Sequence, residues 1–182
     1  MTTKQMFFYC ILQKKNIFRK KVLTDGFCVY ILFVMGDTML VPVAQPYRVT
    51  SKYGPRILNG KPQYHKGIDF VSCTGLRDVY AGLDGIVKYD KDNYDHSKRW
   101  LKGNTGGNLV ILQHEINKKI YYTRYLHLGR NTVKVGDVVH RGQMIGEYGD
   151  YGRSYGAHLH FDLLDSKWRK INPTSWFANL EV

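Results

Sequence analysis

Three short segments of this sequence carry side chains that can bind a metal ion and move protons. A catalytic Zn2+ ion takes three protein ligands from His, Asp or Glu and leaves a fourth position for water. An imidazole that is not a ligand can carry a proton to or from the reacting groups. The segments 65–69, 125–127 and 158–160 contain five suitable side chains, namely His65, Asp69, His127, His158 and His160. Because these groups suffice for both tasks, the sequence predicts a metallohydrolase with an open zinc site.

Residues 158–164 have the alternating pattern of a β-strand. Successive side chains of a strand point to opposite faces, so the apolar residues of this segment would face a core. His158, His160 and Asp162 would share the other face. Two neighbouring imidazoles suit one metal ligand and one proton carrier, although two exposed histidines would show the same spacing. Asp162 would either orient a ligand imidazole or face solvent, and solvent exposure is the simpler expectation.

His65 and Asp69 are four residues apart, which is too far for one metal ion if the chain is straight. At roughly 3.3 Å per residue, an extended strand would separate them by about 13 Å. The backbone must therefore bend between them, and Gly67 has the conformational freedom for such a bend. A helix would also align the two side chains, but Gly67 and the preceding Pro62 disfavour a helix.

His127 follows an aromatic segment, residues 121–125, that is typical of a strand. Alone it would be structural, but together with the other segments it becomes a second imidazole for proton transfer. His114 begins a match to the H-E-x-x-H zinc motif, but Lys118 stands where the second histidine is required, so we interpret His114 as structural. The remaining histidines are expected to be solvated, and they are His96 and His140.

The composition indicates a basic globular domain. The 182 residues carry a net charge of +12, with 27 Lys and Arg against 15 Asp and Glu. Such a surface attracts polyanions, among them nucleic acids, acidic membranes and a bacterial wall with phosphate polymers, although it would also serve solubility alone. No nucleic-acid-binding module is recognisable in the sequence, so we expect no specific nucleic-acid partner.

The cysteines do not form a metal site or a disulfide framework. Cys10, Cys28 and Cys73 contain no C-x-x-C pair, and their odd number argues against systematic pairing. Their expected role is that of small apolar core residues. Metal binding is therefore left to His and Asp.

Residues 1–38 differ in pattern from the rest of the chain. Basic clusters at 14–15 and 19–21 precede an apolar run at 27–35, an order that imitates a secretory signal. However, Asp and Gly at 25–26 interrupt it, no A-x-A cleavage pattern follows, and the run is shorter than the roughly 20 residues that span a bilayer. We expect no transmembrane span, and we interpret the segment as a poorly ordered extension or as sequence upstream of the true start. A weak membrane-surface anchor is the alternative.

Residues 39–182 are predicted to form one mainly β domain built on an antiparallel sheet, with short helical or irregular ends. Runs of aromatic and β-branched residues alternate with glycines and other turn residues. The predicted elements are a hairpin at 78–89 around Asp84 and Gly85, a surface loop at 89–104, a second hairpin joining 108–114 to 119–127, a strand pair within 133–149, a strand at 158–164 and a short terminal helix within 172–177.

Taken in order, these motifs resemble the lysostaphin/LytM-type zinc endopeptidases, which cut bacterial peptidoglycan. The similarity extends over about residues 42–177. Its most specific parts are H-K-G-I-D at 65–69 and H-L-H at 158–160. The supporting segments are T-S-K-Y-G-P-R at 50–56, A-G-L-D-G-I-V at 81–87, G-N-L-V-I at 107–111, Y-L-H-L at 125–128, V-K-V-G-D-V-V at 133–139 and G-Q-M-I-G at 142–146.

The resemblance implies a fold, a cofactor and a role for each site residue. The fold would be the duplicated hybrid motif of this family, and the cofactor would be Zn2+. His65, Asp69 and His160 would bind the ion. His127 and His158 would stay unligated and act in catalysis by moving protons and steadying the developing charge.

A few positions depart from the family pattern. Ala157, Asp162 and Gly129 stand where Pro, Glu or Gln, and Ser are frequent, and the loop at 89–104 is long. No metal or catalytic position is changed. The loop and residues 153–155 would reshape the groove, which leaves the choice of bond open.

The predicted function is hydrolysis of peptide bonds in bacterial peptidoglycan, in the stem peptide or the cross-bridge. The protein would act as a monomer outside the cell, at the cell wall or in a bacteriophage virion. Because the sequence has no convincing signal peptide, we favour a bacteriophage lysin or virion-associated enzyme, and a true signal missing from this version of the sequence is the alternative. One alternative is a catalytically silent wall-binding or assembly module on the same fold. The other, suggested by charge alone, is a nucleic-acid binder.

Overall fold

The computed structural model describes residues 9–11, 17–24, 27–34, 38–93, 105–177 and 180. The chain separates into two compact units, Met1–Thr38 and Met39–Val182. The role of the first unit as an extension or an anchor stays a prediction. Within the described ranges, no helix is long and apolar enough to cross a membrane.

The first unit contains three strands, which are β1 (Tyr9–Ile11), β2 (Ile17–Thr24) and β3 (Phe27–Val34). They pair in an antiparallel sheet in the order β1-β2-β3. Their β-branched and aromatic residues are the types enriched in strands.

The second unit is built from antiparallel strands. They are β4 (Tyr47–Ser51), β5 (Gly54–Leu58), β6 (Lys61–His65), β7 (Ile68–Ser72), β8 (Asp78–Tyr80), β9 (Gly85–Lys91), β10 (Asn108–Ile116), β11 (Lys119–Asn131), β12 (Val138–Val139), β13 (Met144–Tyr148), β14 (Leu159–Asp165) and β15 (Lys170–Ile171). A ten-stranded sheet has the main path β12-β9-β10-β11-β14-β7-β4, with β13 paired to β11 and β8, and β15 paired to β14. Strands β5 and β6 form a separate two-stranded sheet. A 3-10 helix spans Thr174–Trp176.

One face of strands β7, β11 and β14 packs into an aromatic core. Leu159, Phe161 and Leu163 of β14 are fully buried, as their alternation predicts. Phe161 packs edge-on against Tyr125 and Phe70, with ring centroids 5.3 Å and 6.5 Å apart. Burial of a large apolar side chain stabilises a fold by about 1.5–3 kcal/mol. The core thus fixes three strands whose opposite faces are free to carry a site.

The mainly β, antiparallel architecture predicted from the sequence is confirmed. The second predicted hairpin is formed by β10 and β11, which are joined by a two-residue turn of Asn117 and Lys118. Both turn residues have positive φ, 51° and 62°, a geometry that matches the right-handed twist of paired strands. The strand predicted at 158–164 corresponds to β14, and the terminal helix to the 3-10 helix.

Two predicted strand pairs are wrong in their partners, although the strands themselves form. Strand β8 pairs with β13, while β9 pairs with β10 and β12, so no hairpin joins β8 to β9. Strands β12 and β13 likewise pair with other strands and not with each other. A turn dipeptide indicates only a reversal of direction, whereas the partner of a strand depends on distant segments. Of the predicted loop at 89–104, residues 89–91 belong to β9, and residues 94–104 lie outside the described ranges.

Candidate metal centre and catalytic site

Two of the predicted ligands come from neighbouring strands of the large sheet. His160 on β14 lies directly opposite Asp69 on β7 in the antiparallel register. Such cross-strand neighbours have Cβ atoms about 4.5–5.5 Å apart, so their side chains meet on one face. Nδ1 of His160 is 2.7 Å from Oδ1 of Asp69. The sheet register therefore brings an imidazole and a carboxylate together.

The third predicted ligand, His65, reaches this pair because the chain bends directly after it. Strand β6 ends at His65 in the small sheet, and β7 begins at Ile68 in the large sheet. Nε2 of His65 lies 3.2 Å from Oδ1 of Asp69 and 3.0 Å from Nδ1 of His160. The bend that the four-residue spacing requires is present, and three donor atoms face one point.

Gly67 serves this bend through its small size. Its φ is not among the positive values of the chain, so the position does not use the left-handed freedom of glycine. A Cβ atom here would lie 2.6 Å from Nε2 of His160 and 2.6 Å from the carbonyl oxygen of Phe161. Gly67 therefore leaves the space in which the His160 ring lies against the backbone.

Hydrogen bonds hold both ligand imidazoles with one ring nitrogen toward the shared point. Nδ1–H of His65 donates to the carbonyl of Lys52 at 2.8 Å, which leaves the lone pair on Nε2. Nε2–H of His160 donates to Asp162 at 3.0 Å, which turns Nδ1 toward the shared point, where a metal ion would replace the proton between Nδ1 and Asp69. Ligating histidines generally use their second nitrogen in this way. One ligand atom each from His65, Asp69 and His160 lies within 4.8 Å of the others, and a zinc ion accepts this donor set, so the residues fit the ion.

Asp162 lies beside His160 and is completely buried, so the expectation of a solvent-facing carboxylate is wrong. Its carboxylate accepts a hydrogen bond from Nε of Arg124 at 2.9 Å and lies 3.0 Å from Nζ of Lys170. Burial raises the pKa of Asp162, but the bond to His160 and these two cations outweigh burial and hold the pKa well below its usual range. The side chain is therefore ionised and fixes the orientation of the imidazole.

The two carboxylates make the site attractive to positive charge. Burial lowers the pKa of His160, yet hydrogen bonds to Asp162 and Asp69 raise it to about 9. Burial raises the pKa of Asp69, but hydrogen bonds with His160 and His65 hold it well below its usual range. The negative potential that favours a proton on the His160 ring also favours a divalent cation between the ligands.

Arg56 is a site residue to which the sequence analysis assigns no role. Its Nη1 donates to Oδ2 of Asp69 at 3.2 Å and to Oγ of Ser51 at 2.8 Å. Its Nε and Nη2 both donate to Oε1 of Gln63. Oδ2 of Asp69 is thus engaged, while Oδ1 is directed at the histidines. The spacing of Arg56 along the chain matches no metal-binding pattern, and only the pairing of β5 with β6 places it beside Gln63.

His127 is brought to the site by a β-bulge. In the register of β10 and β11, one residue of β11 is extra between Leu126 and Leu128. Its φ of 63° lies in the left-handed region, which costs a non-glycine residue about 1–2 kcal/mol. Bulges re-aim a side chain at functional sites. Here the ring centroid of His127 lies 5.9 Å from that of His160.

His158 lies beside His127, with ring centroids 4.8 Å apart. Nδ1–H of His127 donates to the carbonyl of Tyr151 at 2.6 Å, and Nδ1–H of His158 donates to that of Gly156 at 2.8 Å. Nε2 of each ring remains a proton acceptor, and Nε2 of His158 is 3.7 Å from Oδ1 of Asp69. Burial, followed by the neighbouring charge of His158, lowers the pKa of His127 to about 4.

Four of the five side chains line a cleft of about 780 Å³, and they are Asp69, His127, His158 and His160. One wall contains the end of β4 and the β5–β6 hairpin, and the other contains residues 153–157. Asn59, at the tip of the hairpin, donates a hydrogen bond to the hydroxyl of Tyr155 at 3.0 Å. The cleft volume lies within the range of about 300–1,000 Å³ that is usual for ligand sites.

The histidines that the sequence analysis sets aside have other surroundings. His114 is buried on β10, where Nδ1–H donates to the carbonyl of Asp84 at 2.7 Å and Nε2 lies 2.7 Å from Oγ1 of Thr123. These bonds give it the structural position that we predicted. The side chain of His140 is 80% exposed, and His96 lies outside the described ranges.

Cys73 is exposed just after β7, so the prediction of a core cysteine is wrong for this residue. It lies between Ser72 and Thr74, whose hydroxyls are hydrogen-bonded at 2.8 Å. A polar turn of this kind does not enter the core. Cys10 and Cys28 belong to the first unit, where side chains lie outside the description.

Comparison with known proteins identifies the family. The profile of Peptidase family M23 matches residues 63–173, which is more than half of the chain and includes all five predicted site residues. The chain belongs to peptidase family M23. One relative, the peptidoglycan DD-endopeptidase ShyC of Vibrio cholerae, is 38% identical over 120 residues, which cover 64% of this chain and 24% of that protein.

Solved structures agree with the M23 fold. The catalytic domain of lysostaphin from Staphylococcus simulans is 30% identical, with a TM-score of 0.56 and coverage of 71% of this chain and 90% of that one. A zinc-containing peptidase from Vibrio cholerae is 29% identical, with a TM-score of 0.60 and coverage of 91% of this chain and 47% of that one. The resemblance to lysostaphin/LytM-type peptidases is therefore confirmed. The chain matches only about a quarter of the length of the first curated relatives, 24% and 26%.

Proposed function

We propose that this M23 protein is a zinc-dependent endopeptidase that hydrolyses peptide bonds of bacterial peptidoglycan, in the stem peptide or the cross-bridge. The observation that carries the proposal is the convergence of one carboxylate and two imidazoles on one point, beside two further imidazoles. The substrate class follows from relatives named as peptidoglycan DD-endopeptidases and lysostaphin.

In this proposal the side chains of His65, Asp69 and His160 would hold the ion. When bound, Zn2+ supplies a Lewis acid that polarises a carbonyl oxygen and lowers the pKa of water from 15.7 to about 7. Asp162 keeps the His160 ring in the tautomer with a free Nδ1. Arg56 holds the second carboxylate oxygen of Asp69, so that the first one keeps its direction.

His127 and His158 are the proposed catalytic imidazoles. Their Nδ1–H groups are engaged by backbone carbonyls, so each ring offers Nε2 as a proton acceptor. After taking a proton from the attacking water, a ring can donate it to the developing oxyanion or to the departing amine. Positioned proton transfer of this kind typically contributes about 10²–10⁴-fold in rate.

The proposal extends to the organisation and place of action of the protein. We assign the endopeptidase domain to residues 39–182 and a non-catalytic extension to residues 1–38. A monomer is sufficient, since all the proposed ligands and proton carriers belong to one chain. The site of action would be the cell wall, reached from outside the cell or from a bacteriophage virion.

Digestion of purified cell walls tests the proposal. Soluble peptides should appear with the zinc-loaded protein, stop when a chelator removes the metal and resume when one equivalent of zinc is returned. His158→Ala should release fragments at least about 100-fold more slowly, while the exposed His140→Ala should match the wild type. Walls that are bound but never cut, at full zinc occupancy, would identify a silent wall-binding module and overturn the proposal.

A further inference from the structure

The cleft carries an excess of positive charge. Its lining contains Arg48, Lys52, Arg56 and Arg153 but only one carboxylate, Asp69. That carboxylate already faces Arg56 and the ligand histidines. The other three cations therefore contribute positive potential that the cleft itself does not neutralise.

These three cations have no acidic partner within the described part of the chain. Arg48, Lys52 and Arg153 take part in none of its salt bridges. Several basic side chains outside the cleft do face carboxylates, and the pairs are Arg124–Asp162, Arg130–Glu147, Lys134–Asp90 and Arg169–Asp165. Charges of one sign that line a cleft with low-dielectric walls raise the local concentration of oppositely charged ligands. The unpaired cations thus favour an anionic occupant.

Arg48 lies in the cleft close to the metal centre. It is the cross-strand partner of Val71, which follows Asp69 by two residues on the same face of β7. At about 3.3 Å per residue, this offset along the strand is roughly 7 Å, which equals about two residues of an extended peptide. A substrate carboxylate one or two residues from the scissile bond would therefore lie near Arg48.

Lys52 and Arg153 belong to two segments of the cleft lining that are far apart in the sequence. The carbonyl of Lys52 accepts the hydrogen bond from His65, so this residue adjoins the metal centre. Arg153 precedes Ser154, whose Oγ lies 3.3 Å from Nδ1 of His158. A peptide bound in the cleft would therefore meet a cation from each of these two segments.

From this charge distribution we propose that the cleft selects acidic peptides with free carboxylates next to the scissile bond, and that Arg48, Lys52 and Arg153 bind those carboxylates. The inference rests on the proposed endopeptidase function and specifies its substrate class. An uncharged glycine bridge would leave all three cations without a partner. An acidic stem peptide offers a carboxylate to each wall.

Two synthetic cross-linked stem peptides of the same sequence test the inference, one with free carboxylates and one with these groups amidated. The zinc-loaded full chain should cleave the acidic peptide with a kcat/KM at least 10-fold higher, mainly through a lower KM. The preference should shrink with added salt, because the Debye length falls from about 30 Å at 0.01 M to about 3 Å at 1 M.

A triple variant with Arg48→Gln, Lys52→Gln and Arg153→Gln removes the cleft cations. It should cleave both peptides alike, while its zinc content and its Tm stay near wild type. The matched control changes three exposed lysines outside the cleft lining to Gln, and they are Lys88, Lys119 and Lys167. It lowers the net charge equally and should keep the preference for the acidic peptide.

Equal cleavage of both peptides by the wild type overturns this inference alone, and so does a preference that survives the triple substitution. Cleavage of neither peptide at full zinc occupancy overturns the proposed function instead. In that case calorimetric titration of the two peptides still decides the inference. Equal affinities refute it, and tighter binding of the acidic peptide that depends on the three cations supports it.

Discussion

Asp162 provides a sharp test of how the sheet supports the metal centre. Asp162→Asn keeps the shape of the side chain and an acceptor for Nε2–H of His160, but it removes the negative charge. Arg124 and Lys170 then lose their carboxylate partner at this buried position. The substitution should weaken zinc binding without touching a ligand.

The expected sizes follow from the contacts. Loss of a group that orients a ligand imidazole typically costs 10–100-fold in metal affinity, which equals about 1.4–2.7 kcal/mol. The free energy of unfolding of the metal-free protein should also fall by about 2 kcal/mol. Hydrogen bonds to charged groups contribute about 1.5–3 kcal/mol each, but the total loss is limited because both cations can turn to solvent. The side chains of Arg124 and Lys170 are 25% and 29% exposed. This loss of stability should lower Tm by roughly 4–8 °C for a domain of this size.

Competitive titration with a zinc chelator measures the affinity, and thermal unfolding of the metal-free protein measures the stability separately. Asp165→Asn is the matched control, because Asp165 lies on the same strand and binds Arg169 at 2.7 Å rather than His160. It should leave zinc affinity unchanged. If Asp162→Asn binds zinc as tightly as the wild type, the argument that Asp162 orients the ligand is refuted.

Three further predictions concern Arg56, Gly67 and His114. Arg56→Gln should lower zinc affinity about 3–10-fold in the same titration, because a carboxylate ligand loses an orienting charged hydrogen bond. Arg56→Lys should recover part of the loss, and unchanged affinity in the Gln variant would contradict this prediction. Gly67→Ala should reduce zinc occupancy, measured by metal analysis, because its Cβ would meet a ligand imidazole at 2.6 Å, whereas Gly129→Ala, whose nearest contact is 3.7 Å, should not. Burial lowers the pKa of His114 below 6.5. The contribution of His114 to the free energy of unfolding is therefore present above pH 6.5. It is lost as the pH falls, at up to about 1.4 kcal/mol per pH unit. In denaturant titrations, His114→Gln should flatten the decline in unfolding free energy below pH 6.5, whereas His140→Gln should not. Equal slopes in both variants would exclude a link between the protonation of His114 and stability.

The grouping of the candidate ligands could be predicted because its signal is in the sequence. The alternation around His160 predicts a strand with a core face and a site face, and β14 has both. The spacing of His65 and Asp69 requires a bend, and the chain changes sheets between them. The assignment of these residues to zinc, and of His127 and His158 to catalysis, stays a prediction.

The residues that support the ligands could not be found in this way. Besides its bond to His160, ionised and buried Asp162 depends on Arg124 from the neighbouring strand β11 and on Lys170 from β15. Arg56 reaches Asp69 through the pairing of two short strands. These contacts depend on long-range register, which a local pattern of residue types does not encode.

The same distinction explains the fold predictions. The β10–β11 hairpin is local, and its turn at Asn117 and Lys118 lies between the two runs that the sequence shows. The partner of β8 is β13, more than 60 residues away in the chain and outside the reach of a turn signal. The β-bulge at His127 could not be predicted for a similar reason, since only the register of two strands reveals the extra residue.

The most direct test of the whole account is the zinc content and the turnover of four purified alanine variants, three at site residues and one at an exposed control position. We predict one zinc ion per wild-type chain, a loss of zinc with Asp69→Ala and His160→Ala, and full zinc with at least about 100-fold slower peptidoglycan cleavage in His158→Ala. His140→Ala should equal the wild type in both measurements. Full zinc occupancy in Asp69→Ala and His160→Ala, or normal turnover in His158→Ala, would contradict the account.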